Sequence, residues 1–282
     1  MNQKYIAIFL AVIMVMSILP FFFTGNQNQA NGESSSIEVA SFDSIPGKHV
    51  DYELNSVTDG LAVTAEDAVV VQYFDITAIR GTPLELIIGN SSQLDGIYGA
   101  QVTKMYTAEY ADGTWFNMHE ISPQIVAFQY YLSPDLYNGY QILSRGNNVY
   151  NVVGDPMLLG EKAQLESALD AIEGKSEPNT EFDRIIEFVE PGAEMQRLLI
   201  VDDGFADQYY VGMKLEDDMS SYSRTAVYLN PTEDTVNNVT SLAANSSERA
   251  LFYDVYSEDD ILKVTVSSNV SNFYSLAMEP AW

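Results

Sequence analysis

His49 and His119 are the only histidines in the 282-residue chain, and neither has a second histidine at HxH or HxxxH spacing. A metal site built on imidazoles would need these two to meet in space. Around His119 the segment Trp115-Phe116-Asn117-Met118-His119-Glu120 has strand character. Alternation then puts Trp115, Asn117 and His119 on one face and Phe116, Met118 and Glu120 on the other. His119 is therefore expected as a hydrogen-bonded polar residue on a sheet. Acidic clusters at Asp202-Asp203, Glu216-Asp217-Asp218 and Glu258-Asp259-Asp260 carry the hard oxygens that Ca²⁺ takes. Their spacing is not that of a calcium loop, and each falls where a solvated turn is expected.

Nucleophilic chemistry has no motif here. The chain lacks a Gly-x-Ser-x-Gly elbow and both phosphate-cradling glycine patterns, GxxxxGK[ST] and GxGxxG. It has no cysteine, which removes disulfides, thiolate nucleophiles, zinc-thiolate sites and iron–sulfur clusters. Glycosidase chemistry needs only two well-placed carboxylates, and 40 Asp and Glu permit such a pair without pointing to one. The sequence thus assigns no catalytic residue, no cofactor-binding residue and no metal ligand, and it calls for no cofactor.

The elements that would position any site read as α+β. Residues 68–76 form a β-branched and aromatic run of strand length, and Gly81-Thr82-Pro83 opens a short helix over LELII. Residues 101–110 and 114–121 pair as a hairpin across Asp112-Gly113. A second hairpin joins 140–145 to 149–153. Leu165, Ala168, Leu169 and Ile172 make one apolar stripe of a helix over 161–173, which Gly174 ends.

Residues 174–181 read as a linker. Beyond them the pattern predicts a strand over 184–189, a helix over 191–201 and strands over 208–215 and 223–229. Asn230-Pro231-Thr232-Glu233 starts a helix to about residue 244, and 251–256 pairs with 261–267. That β, α, β, β, α, β order is the split βαβ order of a ferredoxin-like unit. The first half reads in nearly the same order. The expected fold is α+β, antiparallel sheets with a few helices, as two ferredoxin-like units in tandem over 38–174 and 175–282.

Ahead of these units, residues 5–23 are apolar except Ser17 and Pro20, and Lys4 is the only charged side chain before Glu33. At about 1.5 Å per residue the stretch reaches the roughly 30 Å hydrocarbon thickness of a bilayer. Residues 1–23 are accordingly expected as an N-terminal transmembrane anchor. Lys4 on the near side and all carboxylates beyond put the N-terminus in the cytoplasm and the body outside. A cleaved signal peptide is the rival reading, in which the body is secreted; the residues after the run lack its pair of small residues. Residues 24–37, TGNQNQANGESSSI, suit a flexible tether. Four Asn-x-Ser/Thr sequons, at Asn90, Asn238, Asn245 and Asn269, are compatible with glycosylation outside the cell.

The formal charge is −27, from 40 acids against 13 bases. Such an excess repels phosphate backbones, so no nucleic-acid partner is expected. Molar salt would screen the self-repulsion; life in high salt and an acidic exported protein at ordinary salt both fit.

Residues 137–174 carry a strand hairpin, then Val153-Gly154-Asp155 and Leu159-Gly160, then a helix ending Ala168-Leu169-Asp170-Ala171-Ile172-Glu173-Gly174. With Ile45-Pro46-Gly47-Lys48-His49 before it and Asn245-Ser246-Ser247-Glu248-Arg249 after it, this resembles uncharacterised, acidic, membrane-anchored or exported surface proteins of methanogenic and halophilic archaea. The resemblance implies a surface location and brings no activity. Many haloarchaeal proteins of this kind carry an N-terminal lipobox Cys, which this chain lacks.

Three functions remain at this level. The first is a non-catalytic, membrane-anchored extracytoplasmic protein that binds a protein partner or joins an envelope assembly, with Tyr130-Tyr131 and Tyr209-Tyr210 as candidate contact or sheet-packing aromatics. The second is an extracytoplasmic small-ligand receptor, which requires a concavity between the halves lined by a few convergent polar groups. The third is an acid-pair hydrolase.

Overall fold

The computed structural model describes residues 39–89, 91–201 and 204–280. The anchor segment and tether of the sequence reading lie outside them. Among the described residues no helix is long and apolar enough to cross a membrane.

Twelve strands make one sheet. In chain order these are β1 (Ala68–Asp75), β2 (Gln101–Tyr110), β3 (Trp115–Ser122), β4 (Tyr131–Leu132), β5 (Ile142–Gly146), β6 (Val149–Val152) and β7 (Met157–Gly160). The second half adds β8 (Met195–Ile200), β9 (Gln208–Leu215), β10 (Ser221–Leu229), β11 (Phe252–Glu258) and β12 (Ile261–Asn269). Helices are α1 (Val57–Leu61), α2 (Ile76–Ile79), α3 (Glu85–Ile88), α4 (Ser92–Tyr98), α5 (Lys162–Ile172), α6 (Asp183–Ile186), α7 (Glu233–Ala244) and α8 (Phe273–Met278). The mixed architecture is dominated by antiparallel sheet with few helices, as the sequence pattern requires.

Across the sheet the order is β11-β12-β10-β9-β8-β1-β2-β3-β7-β6-β5-β4. Counting outward from the β1–β8 seam, each half begins as a three-strand meander; the second half then adds the β11–β12 hairpin with β12 inside, and the first adds β7, β6, β5 and β4 in that order. The halves meet through antiparallel pairing of β1 with β8, with Gln72 opposite Arg197. Each half also opens with a short helix, α1 or α6, against the same core cluster. The closing helices differ: α5 packs into that cluster and α8 into the other.

This order corrects the expectation of ferredoxin-like units. The second half runs β8, β9, β10, α7, β11, β12 rather than β, α, β, β, α, β, and β8-β9-β10 pair as a consecutive meander; β10–α7–β11, with β12 between its strands, makes a split βαβ crossover without the rest of that unit. At the start of the second half helix and strand stand in the reverse of the expected order. Residues 184–189 hold the helical turn α6, and residues 191–201 hold the strand β8. Strand β8 lies mid-sheet with Met195 in one core cluster and Leu198 in the other. Covered on both faces, MQRLLI shows none of the apolar–polar alternation that would mark it as a strand.

Elsewhere local chemistry sets the elements where expected. Gly113, at φ +83°, turns the β2–β3 hairpin, and Asp112 accepts from the Thr114 amide at 2.9 Å and its hydroxyl at 2.6 Å. Thr232 caps α7 by accepting from the Thr235 amide at 3.3 Å. The apolar stripe of α5 buries Leu165, Ala168 and Leu169.

Candidate functional site

His49 Nε2 lies 3.1 Å from the Ile45 carbonyl oxygen. His119 is 1% exposed, and its Nδ1 is 2.6 Å from the Tyr98 hydroxyl. Burial pushes its pKa down to about 3, so the ring is neutral at physiological pH. Each histidine thus answers to a local partner. Among the described residues no three His, Asp or Glu side chains come together to hold a metal ion.

The acidic turns are engaged locally where they are described. Asp218 accepts from the Ser220 amide and hydroxyl, and Asp260 pairs with Arg184 at 2.8 Å. Asp202-Asp203 and the Asn90 sequon lie outside the described residues. Asn238, Asn245 and Asn269 are exposed. Tyr209 and Tyr210 are buried in the sheet, whereas Tyr131 is 76% exposed on the edge strand β4.

The strongest concentration of buried polar chemistry lies at the seam of the halves. Ladder pairing brings Arg197 on β8, Gln72 on β1, Thr107 on β2 and Asn117 on β3 into one row across four adjacent strands. With strands about 4.8 Å apart the row is roughly 14 Å long. All four point to the face of the core cluster that contains Met105, Met195 and Phe74. They are 4%, 1%, 3% and 1% exposed, respectively, so each is shut away from bulk water. Yet Gln72 Oε1, Thr107 Oγ1 and Asn117 Oδ1 have no hydrogen-bond partner among the described residues. Burying such atoms without partners costs about 1–3 kcal/mol each, so native proteins pair almost all of them with protein, water or ligand.

One pleat further along the strands the next row is Trp115, Glu109, Val70 and Leu199. All four are half-exposed. A polar floor is therefore followed at one end by an aromatic and apolar rim that solvent reaches. Beyond the rim, Leu199 pairs with Tyr209, whose ring packs edge-to-face with Phe205 at 5.3 Å. Residues of the two connections leaving β1 and β8, Ile87, Ile88 and Leu94 from one and Val201 and Phe205 from the other, pack on the same cluster.

The electrostatics of the row are balanced. Burial lowers the Arg197 pKa while the Glu109 carboxylate raises it. Burial raises the Glu109 pKa while Arg197 lowers it. One cation and one carboxyl group thus accompany two amides and a hydroxyl. The row offers hydrogen bonding and no pair of a nucleophile with its base.

A second buried polar group adjoins it under α4. Tyr98, His119 and Asn151 meet there, with Arg145 donating to the Ile97 carbonyl at 3.0 Å and stacking 4.2 Å from the Phe128 ring centre. These contacts fasten α4 to the sheet.

Alternation in the sequence puts Trp115, Asn117 and His119 on one face but does not show what lies beside them. The sequence pattern over 191–201 reads as a helix, which hides the place of Arg197 opposite Gln72. The available signal was Gln72 within AVVVQYFD, a polar residue interrupting a strand that is otherwise apolar.

Residues 53–173 match the model of a family N-terminal domain, from an uncharacterised family. The match begins before α1 and ends after α5, the span of the first half of the strand pattern. No curated protein matches the chain. Among solved structures, crystal form III of TP0453 aligns with a TM-score of 0.47 and 11% identity, over 77% of this chain and 96% of that one. Rad53 1-466 in complex with AMP-PNP aligns with a TM-score of 0.18 and 12% identity, over 88% of this chain and 60% of that one. At these scores neither likeness carries an argument.

Proposed function

We propose that this is a membrane-anchored, extracytoplasmic, non-catalytic protein of the acidic archaeal surface type whose body binds a small ligand at the seam of its two halves. The N-terminal apolar segment serves as a single-pass anchor with Lys4 on the cytoplasmic side, as the charge asymmetry supports. One observation carries the binding reading: three buried, partnerless polar atoms aligned on adjacent strands, with a half-exposed aromatic rim one pleat away. Ligand pockets combine mostly apolar walls with a few convergent polar groups, often between structural halves. The test is to purify the full-length chain from its native membranes at native salt, denature it, and identify released small molecules by mass spectrometry. A molecule stoichiometric with wild type and absent from Asn117→Leu supports the reading. Equal recovery from the variant, or none from either, overturns it.

A protein-partner function is the second reading, favoured by β11. This seven-residue edge strand exposes Phe252 at 71%, Val255 at 42% and Tyr256 at 45%. Unpaired strand edges with exposed apolar residues are sites for strand addition. Crosslinking through a cysteine placed at Phe252 in intact membranes would capture the partner; a chain that remains uncrosslinked counts against this reading.

A further inference from the structure

Resting on the ligand-binding reading above, we infer that the polar row at the seam takes a neutral polyhydroxylated molecule, a sugar or cyclic polyol, with Trp115 as its stacking platform. Charge balance carries the first step. The row's one guanidinium, Arg197, couples to one carboxyl group, Glu109 of the adjoining row, and the nearby His119 ring is neutral. A charged ligand in this shielded place would leave its charge uncompensated, whereas a neutral one would not.

Functional-group matching carries the second. The partnerless atoms belong to an amide, a hydroxyl and an amide. An amide turned about its last bond presents N–H donors where its oxygen stood, and the threonine hydroxyl both donates and accepts. Hydroxyl groups can answer either orientation at every position along the row. A hydrocarbon ligand would leave all three atoms without partners.

Trp115 carries the third. It is two residues from Asn117 on the same face of β3, about 7 Å away along the strand, and opposite Glu109. A half-exposed indole beside a strip of amides matches a ring whose edge is hydroxylated and whose face is C–H.

The test uses the full-length chain in mild detergent with Trp282→Phe, which leaves Trp115 as its single tryptophan. The probes are glucose, N-acetylglucosamine and myo-inositol, against glutamate and lysine. We expect a neutral probe to change Trp115 emission saturably, with matching calorimetric heat. Thr107→Val is expected to weaken that binding at least tenfold while the urea midpoint stays within the wild-type range or rises. Trp115→Leu, at a half-exposed position, provides a second variant with the same expected loss in calorimetry. Binding of glutamate or lysine alone, abolished by Thr107→Val, would overturn the neutral-ligand assignment and leave the binding reading intact. Binding indifferent to both variants would place the ligand elsewhere and overturn the assignment. Silence from every probe overturns it as well, while ligand recovery from native membranes separately decides the broader reading.

Discussion

The Tyr98 hydroxyl lies 2.6 Å from His119 Nδ1, in a pocket where both residues are fully buried. Helix α4 reaches strand β3 through this contact, so the segment 76–98, the long excursion between β1 and β2, is fastened over the polar face of the sheet. His119 Nε2 has no hydrogen-bond partner among the described residues. The pair therefore holds α4 while leaving one ring nitrogen available to the buried space.

Acid should loosen this contact. The folded pKa of His119 is depressed to about 3 from an ordinary 6.5, so protons bind the unfolded chain more readily. The stabilising contribution is fully present above about pH 6.5 and is lost as pH falls toward 3, at up to about 1.4 kcal/mol per pH unit. Urea midpoints measured from pH 7 to pH 4 should fall more steeply for wild type than for His119→Gln. Parallel profiles would remove His119 from the acid response.

Thr107→Val should not destabilise the ligand-free protein. The Thr107 hydroxyl is 3% exposed and lacks a protein partner, and valine keeps its shape. Removing a polar atom that is unsatisfied gains roughly 1 kcal/mol, the usual trade of stability against function at a binding site. A loss of more than about 1 kcal/mol in urea denaturation would mean that bound water already satisfies the hydroxyl.

How far the sequence discloses this arrangement depends on the range of the interactions involved. Asp112-Gly113, Thr232 and the Leu165-Ala168-Leu169 stripe act within a few residues, and the elements they predict form as expected. Strand β8 is decided by partners far away in the chain. Arg197 sits opposite Gln72 because β1 and β8 pair, across 125 residues of sequence separation by their numbering. A segment buried on both faces carries no alternation to announce its strand, and neighbouring α6 is too short to show a helical period. The polar row is hidden for the same reason: Gln72, Thr107, Asn117 and Arg197 become neighbours only through pairing.

Gly60→Ala should be strongly destabilising. An added Cβ would fall within 2.1–2.4 Å of the Tyr106 ring atoms. That ring cannot move cheaply, because Tyr106 is fully buried and its hydroxyl lies 2.7 Å from Thr64 Oγ1. Overpacking of this kind costs about 1–3 kcal/mol. Thermal or urea unfolding reads the loss, and a midpoint equal to that of wild type would show that α1 can shift away from the sheet.

The C-terminal clamp should respond asymmetrically to removal of its two charged partners. Arg249 donates to Glu279 from Nη2 at 2.6 Å and from Nε at 3.1 Å, and Tyr253 donates to the same carboxylate. Arg224 adds a donation to the Glu279 backbone carbonyl at 2.6 Å, so the chain after α8 is tied to β10 as well. The Glu279 side chain is 4% exposed, whereas that of Arg249 is 31% exposed. Glu279→Gln leaves an arginine that can turn to water, and it should cost about 1–2 kcal/mol, the range of a lost hydrogen bond to a charged group. Arg249→Leu strands a carboxylate in a nearly dry site and should cost about 3 kcal/mol or more, as breaking a buried pair does. Urea denaturation of the two variants gives the comparison. Equal losses would mean that Glu279 reaches solvent on its own, and that the clamp depends on Arg224 and Tyr253 instead.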